Sequence, residues 1–170
     1  MEEKQSIKEL VKIELKDCRF HADCLALKVK QFRKYDTFLN SFLAISSSAS
    51  IASWAINSDL AMLCGFIIAV SQVITALKPV FPFGKYVHTL NTRCYKHEAF
   101  FLEIGNLWYN LLDGLISEET AKMQLDHLKK RISENVFFDD DDNFEFSEDI
   151  QEKARYMTTD TLKIKFNITD

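Results

Sequence analysis

The chain has few of the residues that make tight turns or build phosphate-binding loops. Among its 170 residues are only 4 glycines and 2 prolines, so one mostly helical domain is expected. No Gly-x-Ser-x-Gly or His-Glu-x-x-His motif occurs. The sequence therefore predicts a protein that is not an enzyme and needs no cofactor. The isolated glycines are Gly65, Gly84, Gly105 and Gly114.

Positive charge is too scarce overall for a nucleic-acid binder. The formal net charge is −4, and no direct contact with nucleic acid is expected. Residues 1–34 carry nine Lys and Arg against six Asp and Glu, whereas residues 117–170 carry eight against fourteen. The acidic run 139–142 is not an EF-hand, because Phe144 stands in place of the required glycine and Ile150 in place of the bidentate glutamate. It is predicted to be a solvated acidic loop.

Two long stretches lack charge altogether. Thr37–Ser58 has 22 uncharged residues and Leu60–Leu77 has 18, with only Asp59 between them. Since a membrane-crossing helix needs about 20 apolar residues, both runs are long enough to span a bilayer. We therefore predict an all-α membrane protein with a transmembrane helical hairpin over residues 37–77. The alternative is a soluble bundle in which the two central helices are buried on all sides.

The charges that flank the hairpin predict its orientation. The two spans are placed at about residues 37–57 and 60–77. Cations lie on both flanks but not in the turn, so both termini are expected on the cytosolic side of the bacterial inner membrane. Asp59 is then the one charge of the outer turn. The flanking cations are Arg33, Lys34, Lys78 and Lys85.

Helical periodicity continues on both sides of the hairpin. Residues 1–36 are predicted to form a cytosolic amphipathic helix that runs on into the first span. Residues 78–135 are predicted to form further cytosolic helices, the last of which begins after an N-cap at Ser117. Residues 136–170 are predicted to be an acidic tail in which the alternation over 162–168 indicates one short strand. That strand would pair with another copy or another protein, and the alternative is a disordered tail.

A group of cysteines and histidines has the residue types of a zinc site. Cys18, His21 and Cys24 lie on the first helix, and Cys94 and His97 lie on a later one. If the two helices run antiparallel, these side chains reach similar heights and could share a zinc ion. Core packing is the favoured alternative, because positions three and six apart drift around a helix and small cysteines are common in cores. We therefore predict no metal, with these five residues as the candidates.

Polar side chains recur within the two uncharged runs. They fit either a water-lined face or close helix packing, because small and hydroxylated residues let helices approach and hydrogen-bond in lipid. Packing is favoured for any single residue, but the number of serines predicts a homo-oligomer that hides this polarity. The residues are Ser46, Ser50, Ser53 and Asn57 in the first run and Ser71, Gln72 and Thr75 in the second.

The order of these parts resembles a known family. Arg33-Lys34-Tyr35 stands at the membrane entry, a two-span hairpin with a minimal turn follows, and an aromatic helix that includes Phe101 and Trp108 comes next. In these features, over about residues 5–135, the chain is similar to the SLATT family of two-transmembrane effector domains in bacterial conflict systems. The family pattern supplies no catalytic residues.

The resemblance implies a membrane effector that oligomerises and forms a pore or perturbs the inner membrane when triggered. The setting that it implies is anti-phage defence by abortive infection. The expected partners are membrane lipid, further copies of the chain, and a sensor or nucleotide-signalling protein. The alternative is a non-conducting membrane scaffold that recruits a soluble partner enzyme.

Overall fold

The computed structural model describes residues 6–53, 58–77, 83–136 and 145–168. Within these ranges the chain is helical and contains no strand, which confirms the prediction of a helical protein. At positions 47–53, 58–61, 63, 64, 83, 85, 135 and 136 only the backbone is described. The helices are α1 (Ile7–Ser53), α2 (Ser58–Leu77), α3 (Phe83–Leu112), α4 (Glu118–Val136) and α5 (Glu148–Phe166).

The prediction of a membrane protein with a transmembrane hairpin is wrong. In the described part of the chain, no helix is long and apolar enough to cross a membrane. Helix α2 has 20 residues, and three of its described side chains, those of Ser71, Gln72 and Thr75, are polar. In α1, charged residues continue to Asp36. The pore expected of these spans is not supported either.

The chain divides into two compact units. Unit 1 comprises residues 1–28 and 90–170, and unit 2 comprises residues 29–89. The long helix α1 contributes its first part to unit 1 and the rest to unit 2. Helix α5 belongs to unit 1, so the segment predicted to be an acidic tail is part of a folded unit. The acidic run 139–142 lies outside the described residues.

Unit 1 has an apolar core to which α1, α3, α4 and α5 all contribute. Apolar residues recur every three or four positions along these helices, so each helix presents one continuous apolar stripe. The largest fully buried side chains include Leu15, Phe101, Ile104 and Leu125. The buried core residues are Ile7, Val11, Leu15 and Cys18 of α1; Phe100, Phe101, Ile104, Leu107, Trp108 and Leu111 of α3; Ala121, Leu125, Leu128 and Ile132 of α4; and Leu162 with Ile168 at the end of α5.

The strand predicted over 162–168 is wrong, because this segment ends helix α5. A strand would place Leu162 and Ile164 on the same face. Instead Leu162 is 3% exposed and Ile164 is 73% exposed, as a helix requires. Asn167 then adopts a left-handed conformation (φ 53°), and the Ile168 N–H donates to the Leu162 carbonyl at 3.3 Å. This Schellman-type ending returns Ile168 to the core.

Local signals place the turn between α3 and α4. Gly114 has φ 68°, a left-handed conformation that favours glycine, and it ends α3. The N-cap predicted at Ser117 is confirmed, since its Oγ accepts the Thr120 N–H at 3.2 Å. Glu118 and Glu119 occupy the first turn of α4, where acidic residues are favourable.

Candidate functional site

A groove between α1 and α2 in unit 2 brings together polar side chains from both uncharged runs. Its volume is about 640 Å³. Ser46 contributes from α1, and Ser71, Gln72 and Thr75 contribute from α2. The rest of the lining is apolar, with Leu43, Ile68 and Ala76. Ser46 of the first polar stripe therefore lies at one site with all three residues of the second stripe.

The hydroxyl groups of this groove are bonded within their own helices. Ser46 donates to the Phe42 carbonyl, and Ser71 donates to the Ile67 carbonyl, both at 2.8 Å. Thr75 donates to the Ser71 carbonyl, also at 2.8 Å. A hydroxyl that bonds the carbonyl four residues earlier does not need a donor or acceptor from another helix. These residues therefore act as small side chains, and the polarity attributed to them is largely satisfied locally.

Gln72 differs from its neighbours in the groove. Its side chain is exposed, and in the described part of the chain its carboxamide has no hydrogen-bond partner. A carboxamide offers two N–H donors and one carbonyl acceptor. Gln72 is therefore the groove residue best able to bond to something outside the unit.

Unit 2 also presents large apolar side chains on its outer surface. On α2, Met62 is 85% exposed and Phe66 is 68% exposed. Positions four, seven and eleven apart share one face of a helix, and the exposed large side chains of α2 have this spacing. They are Met62, Phe66, Val73 and Leu77 on α2, with Tyr35, Phe38 and Ile45 on α1.

The described side chains of unit 2 form almost no core of their own. Of the side chains that the structure describes in this unit, only Val29 and Ser46 are buried. Two helices that pack side by side can cover only one face of each other, so the other faces stay in contact with solvent. Exposed apolar side chains in this number make unit 2 a candidate interaction surface.

The remaining residues singled out in the hairpin are not brought into this groove by the described structure. Arg33 and Lys34 are exposed on α1. Asn57 and Lys78 lie outside the described residues. Four more have a described backbone only: Ser50, Ser53, Asp59 and Lys85.

Two of the cysteines of unit 1, Cys18 and Cys24, belong to its core, and Cys94 is half-buried. Cys18 lies in the main core, and Cys24 packs against Ile150 and Ala154 in a smaller cluster. Burial raises the pKa of the Cys18 thiol to about 12 and that of the Cys24 thiol to about 11, as expected for thiols packed among apolar side chains. Among the described residues, no three His, Cys, Asp or Glu side chains gather as a possible metal site.

The two candidate histidines stack on each other. The His21 and His97 rings lie 5.4 Å apart between centroids and are nearly parallel at 12°. His21 uses its Nδ1 toward the Asp17 carbonyl at 2.8 Å, while the buried Nδ1 of His97 has no partner among the described groups. Burial lowers the pKa of His97 to about 4, so the ring is neutral at pH 7. Cys94 donates to the Ala22 carbonyl at 3.5 Å.

A buried carboxylate links α1 to α5, and no pattern in the sequence predicted this link. Asp23 is 2% exposed. Arg19 binds it through two nitrogens at 2.8 and 3.1 Å, and the Thr158 hydroxyl donates to it at 2.9 Å. Burial raises the pKa of Asp23 against the lowering effect of these two partners. The one available signal was an acidic residue between Ala22 and Cys24, next to an apolar stripe and four residues after an arginine.

Unit 1 has a further groove between α3 and α4, of about 520 Å³. Its walls carry the carboxamides of Asn106, Asn110 and Gln124. Its acid and its arginine bind each other, because Arg131 donates to the two carboxylate oxygens of Glu103 at 2.6 and 3.2 Å. The acid and the arginine of this groove are therefore paired with each other, and its remaining polar lining includes Thr120 and His127 beside the three carboxamides.

We compared the chain with known protein families, curated proteins and solved structures. No protein-family model, curated protein or solved structure matches the chain. The resemblance to the SLATT family, which depends on layout, stays a prediction.

Proposed function

We propose that the protein is a non-enzymatic assembly protein that forms homo-oligomers through unit 2. In this proposal unit 1 is a folded platform carried by each copy. The observation that supports it best is that unit 2 has only two buried side chains among those described, while its two helices expose seven large apolar ones. A helical pair of this kind gains its stability by packing against further helices.

The size of the exposed surface fits a protein–protein contact. Burial of one large apolar side chain contributes about 1.5–3 kcal/mol. Four such residues on α2 of each of two copies therefore contribute on the order of 10 kcal/mol. Association costs about 4–15 kcal/mol in lost freedom, so this helix alone offsets much of the cost.

The absence of charge on the apolar surface of unit 2 favours a second copy of the chain as its binding partner. The runs 37–58 and 60–77 carry no charged residue. Two identical faces can therefore meet without repulsion between like charges, whereas a strongly charged partner would find no opposite charge on them. The expected triggering partner, defence role and cellular location stay predictions.

Sedimentation velocity of the purified full-length chain tests the proposal. The parent is expected to form a defined oligomer, and Phe66→Asp is expected to shift it toward the monomer, because a carboxylate at the contact must lose its water. Met123→Asp is the matched control, since Met123 is 70% exposed on α4 and should leave the oligomer unchanged. A parent that is monomeric, or one that floats with lipid vesicles as a monomer, contradicts the proposal.

A further inference from the structure

We propose that unit 1 binds a free α-amino acid in a pocket between α1 and α5. The pocket has a volume of about 410 Å³ and is lined by side chains of both helices. Small-molecule sites have volumes of about 300–1,000 Å³, so this pocket is large enough for one. All of its lining residues belong to unit 1, so the inference goes beyond the proposed function and does not depend on association through unit 2.

Two polar side chains of this pocket are held in place by hydrogen bonds that they donate. The Thr158 hydroxyl donates to the buried Asp23 at 2.9 Å, and the Gln151 Nε2 donates to the Phe146 carbonyl at 2.9 Å. A hydroxyl oxygen keeps its lone pairs after its hydrogen is used, and a carboxamide keeps its carbonyl oxygen. Both residues therefore retain an acceptor, which favours a ligand that carries N–H donors.

One acid and one arginine of the pocket match the two ends of an amino acid. Asp17 lies on α1 and Arg155 lies on α5, and both are exposed. In the described part of the chain, neither the Asp17 carboxylate nor the Arg155 guanidinium takes part in a hydrogen bond or an ion pair. A guanidinium binds a carboxylate through two parallel N–H bonds, and a carboxylate accepts hydrogen bonds from an ammonium group. The pocket therefore offers one partner for the carboxylate and one for the ammonium of the ligand.

A second cation and an aromatic ring complete the pocket. Lys16 and Arg155 are its two cations and Asp17 is its one acid, so the lining is positive overall. A positive site favours an amino acid of net negative charge. Phe20 is half-buried and packs against the small cluster that contains Cys24, so its ring is a fixed apolar wall for the carbon chain of the ligand.

Isothermal titration calorimetry of the full-length chain with L-glutamate tests the site. L-glutamate is the probe because it carries an ammonium group and has a net negative charge. Its dissociation constant is expected to lie below about 1 mM. Glutarate has the same carbon chain and both carboxylates but no ammonium group. It is expected to bind at least about tenfold more weakly, because it leaves Asp17 without an opposite charge.

Two single variants each remove one end of the recognition. Arg155→Gln is expected to weaken the binding of L-glutamate at least about tenfold, because it removes charge-assisted hydrogen bonds. Asp17→Asn is expected to abolish the preference for L-glutamate over glutarate, because it removes the charge that selects the ammonium group. Lys163→Gln on α5 and Asp126→Asn on α4 are the matched controls. Both residues are exposed and lie outside the pocket, so these variants should bind L-glutamate as the parent does.

Three results overturn the inference. The parent binds no L-glutamate at about 10 mM, glutarate binds the parent as tightly as L-glutamate does, or both pocket variants bind L-glutamate like the parent. The comparison with glutarate uses the parent chain alone, so it decides the inference even if a variant fails to fold. A monomeric parent that binds L-glutamate contradicts the proposed function and leaves this inference intact.

Discussion

The stacked histidines of unit 1 predict a loss of stability in mild acid. The pKa of His97 is lowered from its ordinary 6.5 to about 4, first by burial and then by the charge of His21. The folded chain therefore favours neutral His97, whereas the unfolded chain takes up a proton as soon as the pH falls below about 6.5. The contribution to stability is complete above that pH and is lost as the pH falls from 6.5 toward 4.

The size of this effect follows from the shift in pKa. One pKa unit corresponds to about 1.36 kcal/mol, so the full difference is about 3 kcal/mol, of which about 2 kcal/mol is lost by pH 5. Asp17 and Asp23 act in the opposite direction, because burial raises their pKa values and their protonation favours the folded chain. Comparison with a variant that lacks His97 separates these contributions.

Urea unfolding at pH 7 and pH 5 measures the effect. The fluorescence of Trp108, in a Trp54→Phe background, reports on unit 1. His97→Phe keeps a ring for stacking, removes the titration and removes a buried nitrogen that has no partner among the described groups. This variant should be as stable as the parent or more stable at pH 7, and should lose about 2 kcal/mol less on going to pH 5.

His127→Phe provides the control, because His127 is exposed on α4. This variant should lose as much free energy of unfolding between pH 7 and pH 5 as the parent does. The reasoning is refuted if the parent has the same free energy of unfolding at both pH values. It is also refuted if His97→Phe keeps the full loss on acidification.

Two further predictions concern the attachment of α5. Thr158→Val removes the hydroxyl that donates to the buried Asp23, so the free energy of unfolding should fall by about 1–2 kcal/mol. In a double-mutant cycle with Asp23→Ala, strictly additive losses would contradict this hydrogen bond. Gly105→Ala places a methyl 2.8 Å from the Phe166 ring and should cost about 1–3 kcal/mol in thermal unfolding. Gly65→Ala is the control, because the added methyl meets no atom within 4 Å. An equal rise in melting temperature for both variants would disprove the close packing of Gly105 against Phe166.

Local sequence patterns were sufficient to predict the structure of segments whose conformation depends on neighbouring residues. The side-chain oxygen of Ser117 acts within one helical turn, and both this N-cap and the helix that follows it were predicted. At residues 162–168 the same kind of reasoning failed. Alternation over seven residues fits a strand, but the burial of Leu162 and Ile168 in the core requires a helix that ends at a left-handed Asn167. The periodicity of a short apolar segment does not determine which of its residues are buried in the core.

The uncharged runs show a second limit of sequence reasoning. Absence of charge and run length predicted membrane spans, yet the described helices include none that could cross a membrane. The sequence also suggested that Ser46, Ser71 and Thr75 line either a water-filled face or a helix contact, with their polarity hidden in a homo-oligomer. Their hydroxyls are bonded to carbonyls four residues earlier, which leaves Gln72 as the distinctive polar group of the groove.

The sequence by itself determined that this protein is helical, poor in charge over residues 37–77 and without a catalytic motif, because composition and periodicity are local properties. Only the tertiary structure decided which polar residues form contacts between helices. Asp23 and Thr158 are 135 positions apart, and their contact exists because α5 packs against α1. His21 and His97 likewise stack only because α3 lies against α1. Contacts between distant segments depend on the packing of whole helices, which no short pattern in the chain specifies.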